Sequence, residues 1–226
     1  MQRRIEMDKE HRDFKNSLKE DELQHVAGSV VHFFNNPDNI NKLVNWLIGA
    51  AVVALLIWGY MSYKGNIDSN VYKSVMSAKE KIAAKDFETA IMNFKTMLKD
   101  YPGSKHTGEI YYLLGQCYET TKNNPEAIKA YGESLKYGLP AELKPAAHMS
   151  YIYALEANSE YVKAAEACEA FLKKMPKYYG AGEVLLTEAR NLRLAGKGPE
   201  AITKYQEIMV KYPDSTWAST AKPYVQ

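Results

Sequence analysis

The sequence predicts an all-α superhelical solenoid of four 37-residue helical hairpins, preceded by a single apolar helix that crosses a membrane. Three observations predict it. "PEAIKAY" at 125–131 returns as "PEAITKY" at 199–205, and between and before them Ala90, Ala127, Ala164 and Ala201 keep a spacing of 37 residues. Each alanine is followed four residues on by Phe94, Tyr131, Cys168 or Tyr205, and twelve on by Pro102, Leu139 (next to Pro140), Pro176 or Pro213. Finally, "LVNWLIGAAVVALLIWGYMSY" at 43–63 has no charged residue among its 21. A fixed period of roughly 20–50 residues marks stacked repeat units, and an uncharged run of about 20 residues is what a hydrocarbon core of about 30 Å requires.

Taken in chain order, residues 1–42 are a charged tail with an amphipathic helix. Ser17 and Glu20 make a capping box, and "EDE" at 20–22 suits a helix N-terminus. Leu23, Val26, Ala27, Val30 and Phe33/Phe34 follow at spacings of three and four until Asn35-Asn36-Pro37 stops the helix. Such a helix fits the membrane interface, a contact with another membrane protein, or plain solvent, and the sequence leaves the three open. The stretch from Met1 to Asn16 alternates in charge and is expected to be mobile.

The stretch 43–63 is the expected transmembrane helix. Lys42 and Lys64 bound it, with Trp46 near one end and Trp58, Tyr60 and Tyr63 near the other, as in an interfacial aromatic belt. A buried core helix is the bland alternative, but nothing else in the chain is large enough to cover it. A cleaved signal peptide is disfavoured, because the stretch begins only at Leu43, behind the whole tail, and no small-x-small site follows it. The tail's seven Lys/Arg place it in the cytoplasm and the repeats outside. Close to the span the count reverses, with Lys42 before it and Lys64, Lys73, Lys79 and Lys81 after it. The difficulty of moving a tail with 15 charges outward decides for the first orientation.

Residues 64–226 form the repeat domain. In "GEIYYLLGQCYETTKNNPEAIKAYGESLKYGLP", Tyr111, Leu114 and Tyr118 recur at helical spacing. Asn123-Asn124-Pro125 breaks the run, and Ala127, Ile128, Tyr131 and Leu135 resume it. Gly115 and Ala127 allow the two helices to approach closely, and neighbouring pairs must stack because neither helix buries its stripe alone. "STWASTAKPYV" supplies a short closing helix.

These residues resemble the tetratricopeptide repeat: Tyr111, Leu114, Gly115, Tyr118, Ala127, Tyr131 and the turn proline match its pattern. The other copies are weaker. The first keeps Ala78, Ala90, Phe94 and Pro102; the third puts Ile152 at the usual glycine; the fourth keeps Leu185, Ala189, Ala201, Tyr205 and Pro213. Met97, Ser134, Phe171 and Ile208 stand at the usual late alanine.

The resemblance implies a groove lined by the first helix of each hairpin. Its exposed inner positions would be Tyr72, Lys79, Glu109, Tyr112, Gln116, Met149, Tyr153, Glu183, Leu186, Arg190 and Arg193. Tyrosine and methionine among polar side chains suit peptide segments, though several of these positions equally suit ordinary packing between helices. The family's clamp for chaperone C-termini is not supported, since Val75, Tyr112 and Met149 occupy its sites.

Signals for other chemistry are poor. Cys117 and Cys168 fall on repeat-helix positions and are expected to be buried free thiols, a disulfide being the alternative for an exported domain. The five histidines show no ligand spacing, and "GAGE" and "GKGP" lack the strand that a phosphate loop needs. A net charge of +2 gives no footprint for nucleic acid. No catalytic activity, cofactor or metal is expected.

The layout of a tail with "LKEDEL", one span and degenerate repeats with "YPGS" and "YPDS" turns resembles the bacterial inner-membrane tetratricopeptide family related to the YfgM-like ancillary subunit of the Sec translocon. That resemblance implies a membrane-anchored interaction scaffold, a periplasmic adaptor or chaperone-like helper in protein export. Its partners would be translocon components or exported proteins, together with membrane lipid and, as an option, further copies of itself. An envelope organiser or tether and a cytosol-facing docking receptor are the alternatives.

Overall fold

The computed structural model describes residues 23–225. The chain divides into two units after Tyr63. In the first, residues 23–35 form helix α1, and helix α2 (Pro37–Ala83) starts after a single non-helical residue. Asn36 makes that break: its Oδ1 accepts a hydrogen bond from the Asp38 backbone N–H at 3.0 Å. Pro37 has no N–H left to satisfy in the first turn. Helix α1 thus stops where the Asn-Asn-Pro run predicts. The expected capping box at Ser17 and Glu20 and the charge-alternating stretch from Met1 to Asn16 lie outside the described residues.

The uncharged stretch 43–63 is one part of α2, which has 47 residues in all. Among the described residues, α2 is the helix long and apolar enough to cross a membrane, and none of its most apolar stretch is buried.

In the second unit, the end of α2 packs as the first helix of a first hairpin, burying Val71, Val75 and Ala78 completely, and α3 (Phe87–Asp100) is its second. Three more hairpins follow: α4 (Thr107–Thr120) with α5 (Asn124–Ser134), α6 (Leu143–Ala157) with α7 (Tyr161–Lys174), and α8 (Ala181–Leu194) with α9 (Gly198–Lys211). A short α10 (Thr216–Ala221) and a 3-10 turn, Lys222–Tyr224, close the array. Among the described residues every regular element is helical, and the second helices of the hairpins start at 87, 124, 161 and 198, again 37 apart.

The turn inside each hairpin repeats at the level of single hydrogen bonds. Asp86 N–H donates to the Lys81 carbonyl, Asn123 to Tyr118, Glu160 to Leu155 and Lys197 to Leu192, at 2.8–2.9 Å. The residue before each donor is left-handed: Lys85, Lys122 and Ser159 at φ 61–62° and Gly196 at 78°. This is the Schellman ending, in which a left-handed residue lets the following N–H reach back five residues. Only the last hairpin uses glycine, the residue that takes that conformation without steric cost.

Each hairpin then closes on one small-against-large contact. In the second, a Cβ on Gly115 would lie 2.6 Å from the Tyr131 ring, and Tyr131 is completely buried, so it has nowhere to move. Ala78 with Phe94 and Ala189 with Tyr205 hold the same positions in the first and fourth hairpins. The third inverts the pair: Ile152 stands at the small position and Cys168 at the large one, and both are completely buried in the same cluster. Two departures from the repeat pattern thus compensate each other in volume.

A second substitution of this kind marks the fourth hairpin. Glu188 and Lys204 stand one period on from Tyr151 and Ala167, and two on from Leu114 and Ala130. They form an ion pair at 2.8 Å with the Glu188 side chain only 5% exposed. Burial pushes the Glu188 carboxyl above its ordinary range, while Lys204 opposes that shift.

The core is segmented. One cluster runs from Val71 through Tyr131 to Ala147 and Ala154, a second links Ile152 with Phe171 and Val184, and a third joins Leu185 and Tyr205 to Ala221. At the closing end, Gly182 lies under the Trp217 ring, where any Cβ would clash, and Trp217 meets Tyr212 edge-on at 5.5 Å. The expected capping helix is therefore present as α10.

The inverted pair should be separable in purified full-length protein in detergent. Cys168→Phe alone is expected to cost about 1–3 kcal/mol by overpacking, and Ile152→Ala alone about 2–5 kcal/mol through the cavity it leaves. The double variant should recover about 0.5–3 kcal/mol relative to the sum of the two. Additive thermal melts would show that the residues do not share one space.

His148 gives a pH-dependent counterpart. Its ring stacks on Phe171 at 5.0 Å, and burial, helped by Lys174, lowers its pKa to about 4. Because the folded pKa lies below the unfolded one, its contribution is intact above about pH 6.5 and is lost as pH falls toward about 4, by at most about 1.4 kcal/mol per pH unit. Replacing His148 with Phe should flatten the melting profile in that window; an unchanged slope would assign the acid sensitivity elsewhere.

Candidate peptide-binding face

The first helices α2, α4, α6 and α8 supply the face predicted for partner binding, and bridges from one helix to the next organise it. Lys79 Nζ donates to Glu109 Oε1 at 2.7 Å, joining α2 to α4, and His106 Nδ1 stands 3.5 Å from the other Glu109 oxygen. Two periods on, Tyr153 Oη donates to Glu183 Oε1 at 3.0 Å, joining α6 to α8. Burial and that carboxylate push the Tyr153 phenol up to about 12. Arg190 Nε and Nη2 donate to the two oxygens of Glu156 at 3.1 and 2.8 Å, a bidentate pair with the planar fit such pairs require. Asn191, completely buried, adds a third donor to Glu156 at 2.9 Å.

The equivalent position between α4 and α6 is occupied by Gln116 and Ala146. Among the described residues no side-chain hydrogen bond or ion pair joins these two helices. Gln116 instead donates to Tyr112 Oη in its own helix at 3.2 Å. Met149 and Leu186 are half-buried, Tyr72 is exposed and lies 5.7 Å from the His106 ring, and Arg193 is exposed with its guanidinium 5.2 Å from the Tyr224 ring.

One predicted residue needs correction. Tyr112 is only 8% exposed, and its ring lies 5.9 Å from that of Tyr131. The side-chain-free Gly115 lets Tyr131 come in beneath α4, and Tyr112 covers it, so Tyr112 is part of the core rather than an open anchor. Its period equivalent Val75 is also completely buried.

The bridging partners Glu156 and Asn191 were missed. Their signal is a complementary residue about one period away, less one or two helical turns. The pairs 79/109 and 153/183 are 30 apart, and 156/190 are 34 apart.

Cys117 and Cys168 are both buried free thiols, as expected, and burial pushes the Cys117 pKa up to about 11. A cleft of about 500 Å³ between α7, α8 and α9 is lined by Glu166, Glu188 and Lys204 and by none of the predicted face residues.

The comparisons with known proteins agree with this architecture. The tetratricopeptide repeat family model matches residues 75–142 and 123–179. A crystal structure of a tetratricopeptide repeat protein from Parabacteroides merdae is similar at TM-score 0.56 and 14% identity, covering 68% of this chain and 58% of that one. The chain thus spans little more than half the length of that relative. The nearly identical repeats of a putative kinesin light chain from Podospora anserina are similar at TM-score 0.52 and 14% identity, covering 70% and 84% of the two chains. A search of the curated proteins finds no match.

The fold is a tetratricopeptide-like solenoid, and residues 75–179 within it match the tetratricopeptide repeat family model. As a class, such arrays are scaffolds that bind protein partners or peptides and generally lack catalysis of their own.

The two tyrosines should now behave differently. Tyr112→Ala is expected to cost about 3–5 kcal/mol, as for other buried aromatics. Tyr153→Ala should cost about 1–2 kcal/mol, the scale of one partly exposed hydrogen bond to a carboxylate. Equal losses in thermal melts would place both rings in the core.

Proposed function

We propose that this protein is a membrane-anchored interaction scaffold, with its repeats in the periplasm, that takes an extended segment of a partner protein along the first-helix face and assists protein export. The observation that carries the reading is the unbridged step between α4 and α6. The face is cross-tied at Lys79–Glu109 and at Tyr153–Glu183, yet among the described residues Gln116 between them makes no side-chain hydrogen bond to the neighbouring hairpin, and Met149 is only half-buried. A bound segment can meet the Gln116 amide with a backbone group and cover Met149 with an apolar side chain. Methionine adapts to varied shapes, which suits a helper that meets several clients.

Charge supports the same reading. Lys79 and Arg190 are already paired with carboxylates, so of the predicted cationic face residues Arg193 alone has no carboxylate partner among the described residues, too few for a clamp on a chain terminus. The membrane anchor rests on α2, whose uncharged stretch is flanked by tryptophan and tyrosine. The outward placement of the repeats rests on the basic tail, and the link to export on the likeness in layout to the YfgM-like family.

A photo-crosslinking side chain in place of Met149 tests partner and sidedness together in intact cells. Adducts with translocon components or exported chains, digested by protease once the outer barrier is opened, are expected. Adducts with this chain alone would favour an envelope organiser. Adducts that stay protected from protease would make the protein a cytosol-facing receptor and overturn the export reading.

A further inference from the structure

We propose that helix α1 lies in the membrane interface, along the boundary between headgroups and acyl chains, with Leu23, Val26, Val30 and Phe34 turned toward the lipid. The proposal rests on the reading of α2 as a membrane span.

The helix divides sharply. At about 100° per residue, the seven apolar residues of 23–35 fall within an arc of about 160°, and Gln24, His25, Gly28, Ser29, His32 and Asn35 fill the remainder. An arc that wide normally faces a core. Here nothing among the described residues covers it: Leu23 is 68% exposed, Val30 48% and Phe34 53%.

The partner is read from continuity. Asn36 alone separates α1 from α2, and its side chain caps α2 through the Asp38 N–H. Pro37 stands six positions before Leu43, where the uncharged stretch begins, a helical rise of about 9 Å. Headgroup layers are about 5–8 Å thick on each side of the hydrocarbon. With the span tilted by about 30–40°, within the usual range, the vertical rise falls to about 7–8 Å, so the C-terminal end of α1 is held in the headgroup layer by the span itself, and its apolar face needs no protein groove to become covered. The other arc fits that depth as well. Between Glu22 and Asp38 the chain has no Asp, Glu, Lys or Arg. Gln, His, Ser and Asn on that arc can hydrogen-bond in a hydrated headgroup layer, without the Lys and Arg that interfacial helices commonly carry. Phe33 and Phe34 meet edge-on at 5.6 Å next to the Asn36 break, the end of α1 nearest the span.

The test uses the full-length chain in vesicles of phosphatidylcholine and phosphatidylglycerol. Nitroxide labels are placed singly at Val30→Cys, Phe34→Cys, His25→Cys, His32→Cys and, within the span, Leu55→Cys. Cys117 and Cys168 stay in place as buried thiols, with unsubstituted protein as the labelling blank. Collision rates with oxygen and with a water-soluble nickel chelate are compared. The oxygen-to-nickel ratio at Val30 and Phe34 should exceed that at His25 and His32 several-fold, with Leu55 the highest of all. A lipid ratio at Leu55 with equal, water-like ratios at the four α1 sites would overturn the interfacial helix and leave the span standing. Suppression of both collision rates at Val30 and Phe34 would overturn it in favour of a protein contact. A water-like ratio at Leu55 would overturn the span, and the interfacial helix with it.

Discussion

The repeat array depends on how closely the two helices of a hairpin approach, because that distance sets how much apolar surface each hairpin shows its neighbour. A pair of helices with ordinary side chains at the crossing stands too far apart for a ring to fill the gap and also reach the next hairpin. With Gly115 at the crossing, Tyr131 becomes completely buried, and its hydroxyl still donates to Glu119 at 2.6 Å. Tyr112 can then roof it. The same geometry explains why Ala127 is fully covered and why the first cluster runs unbroken from Val71 to Ala154.

From that constraint follows the division of labour along each hairpin. The second helices supply the filler, Phe94, Tyr131, Cys168 and Tyr205, and the first helices are left with a face that the core does not need. Polar bridges occupy part of that face, Lys79 to Glu109 and Glu156 to Arg190. These are ties between hairpins more than sources of stability, since partly exposed ion pairs contribute about 0–1 kcal/mol. Where the tie is missing, at Gln116 and Ala146, the loop between hairpins also departs from the others. Ser104, Tyr178 and Ser215 each donate from backbone N–H to the carbonyl three residues back, 74 and 37 residues apart, whereas the turn through Gly138 and Pro140 makes such a bond at a shifted position, from the Leu143 N–H to the Pro140 carbonyl.

Much of this was legible in the sequence because it is written in the chain at a fixed period. The proline and asparagine breaks located the hairpin turns, and the alanine marks located the second helices within a few residues. Tyr112 was misread for a physical reason. Register assigns a residue to a helix face, but burial there depends on how far the facing ring advances, and the advance of Tyr131 is set by Gly115, three residues on from Tyr112. Arg190 is legible as a face residue, but its partners Glu156 and Asn191 are not, for a related reason: each looks like an ordinary surface or core substitution until the stacking distance of one period is imposed. The left-handed Lys85, Lys122 and Ser159 gave no signal at all, because only at Gly196 does the residue type announce the conformation.

The inverted pair in the third hairpin gives each helix an address. In an array of interchangeable units, a first helix can dock on the wrong second helix during folding, or on that of a neighbouring molecule, with little penalty. Here the exchange is penalised in both directions. Ile152 brought against Tyr131 would overfill the crossing, and Gly115 brought against Cys168 would leave it hollow. Side-chain volume, rather than any charge or hydrogen bond, thus tells the second and third hairpins apart while the chain assembles, and it opposes the exchange of these hairpins between neighbouring molecules.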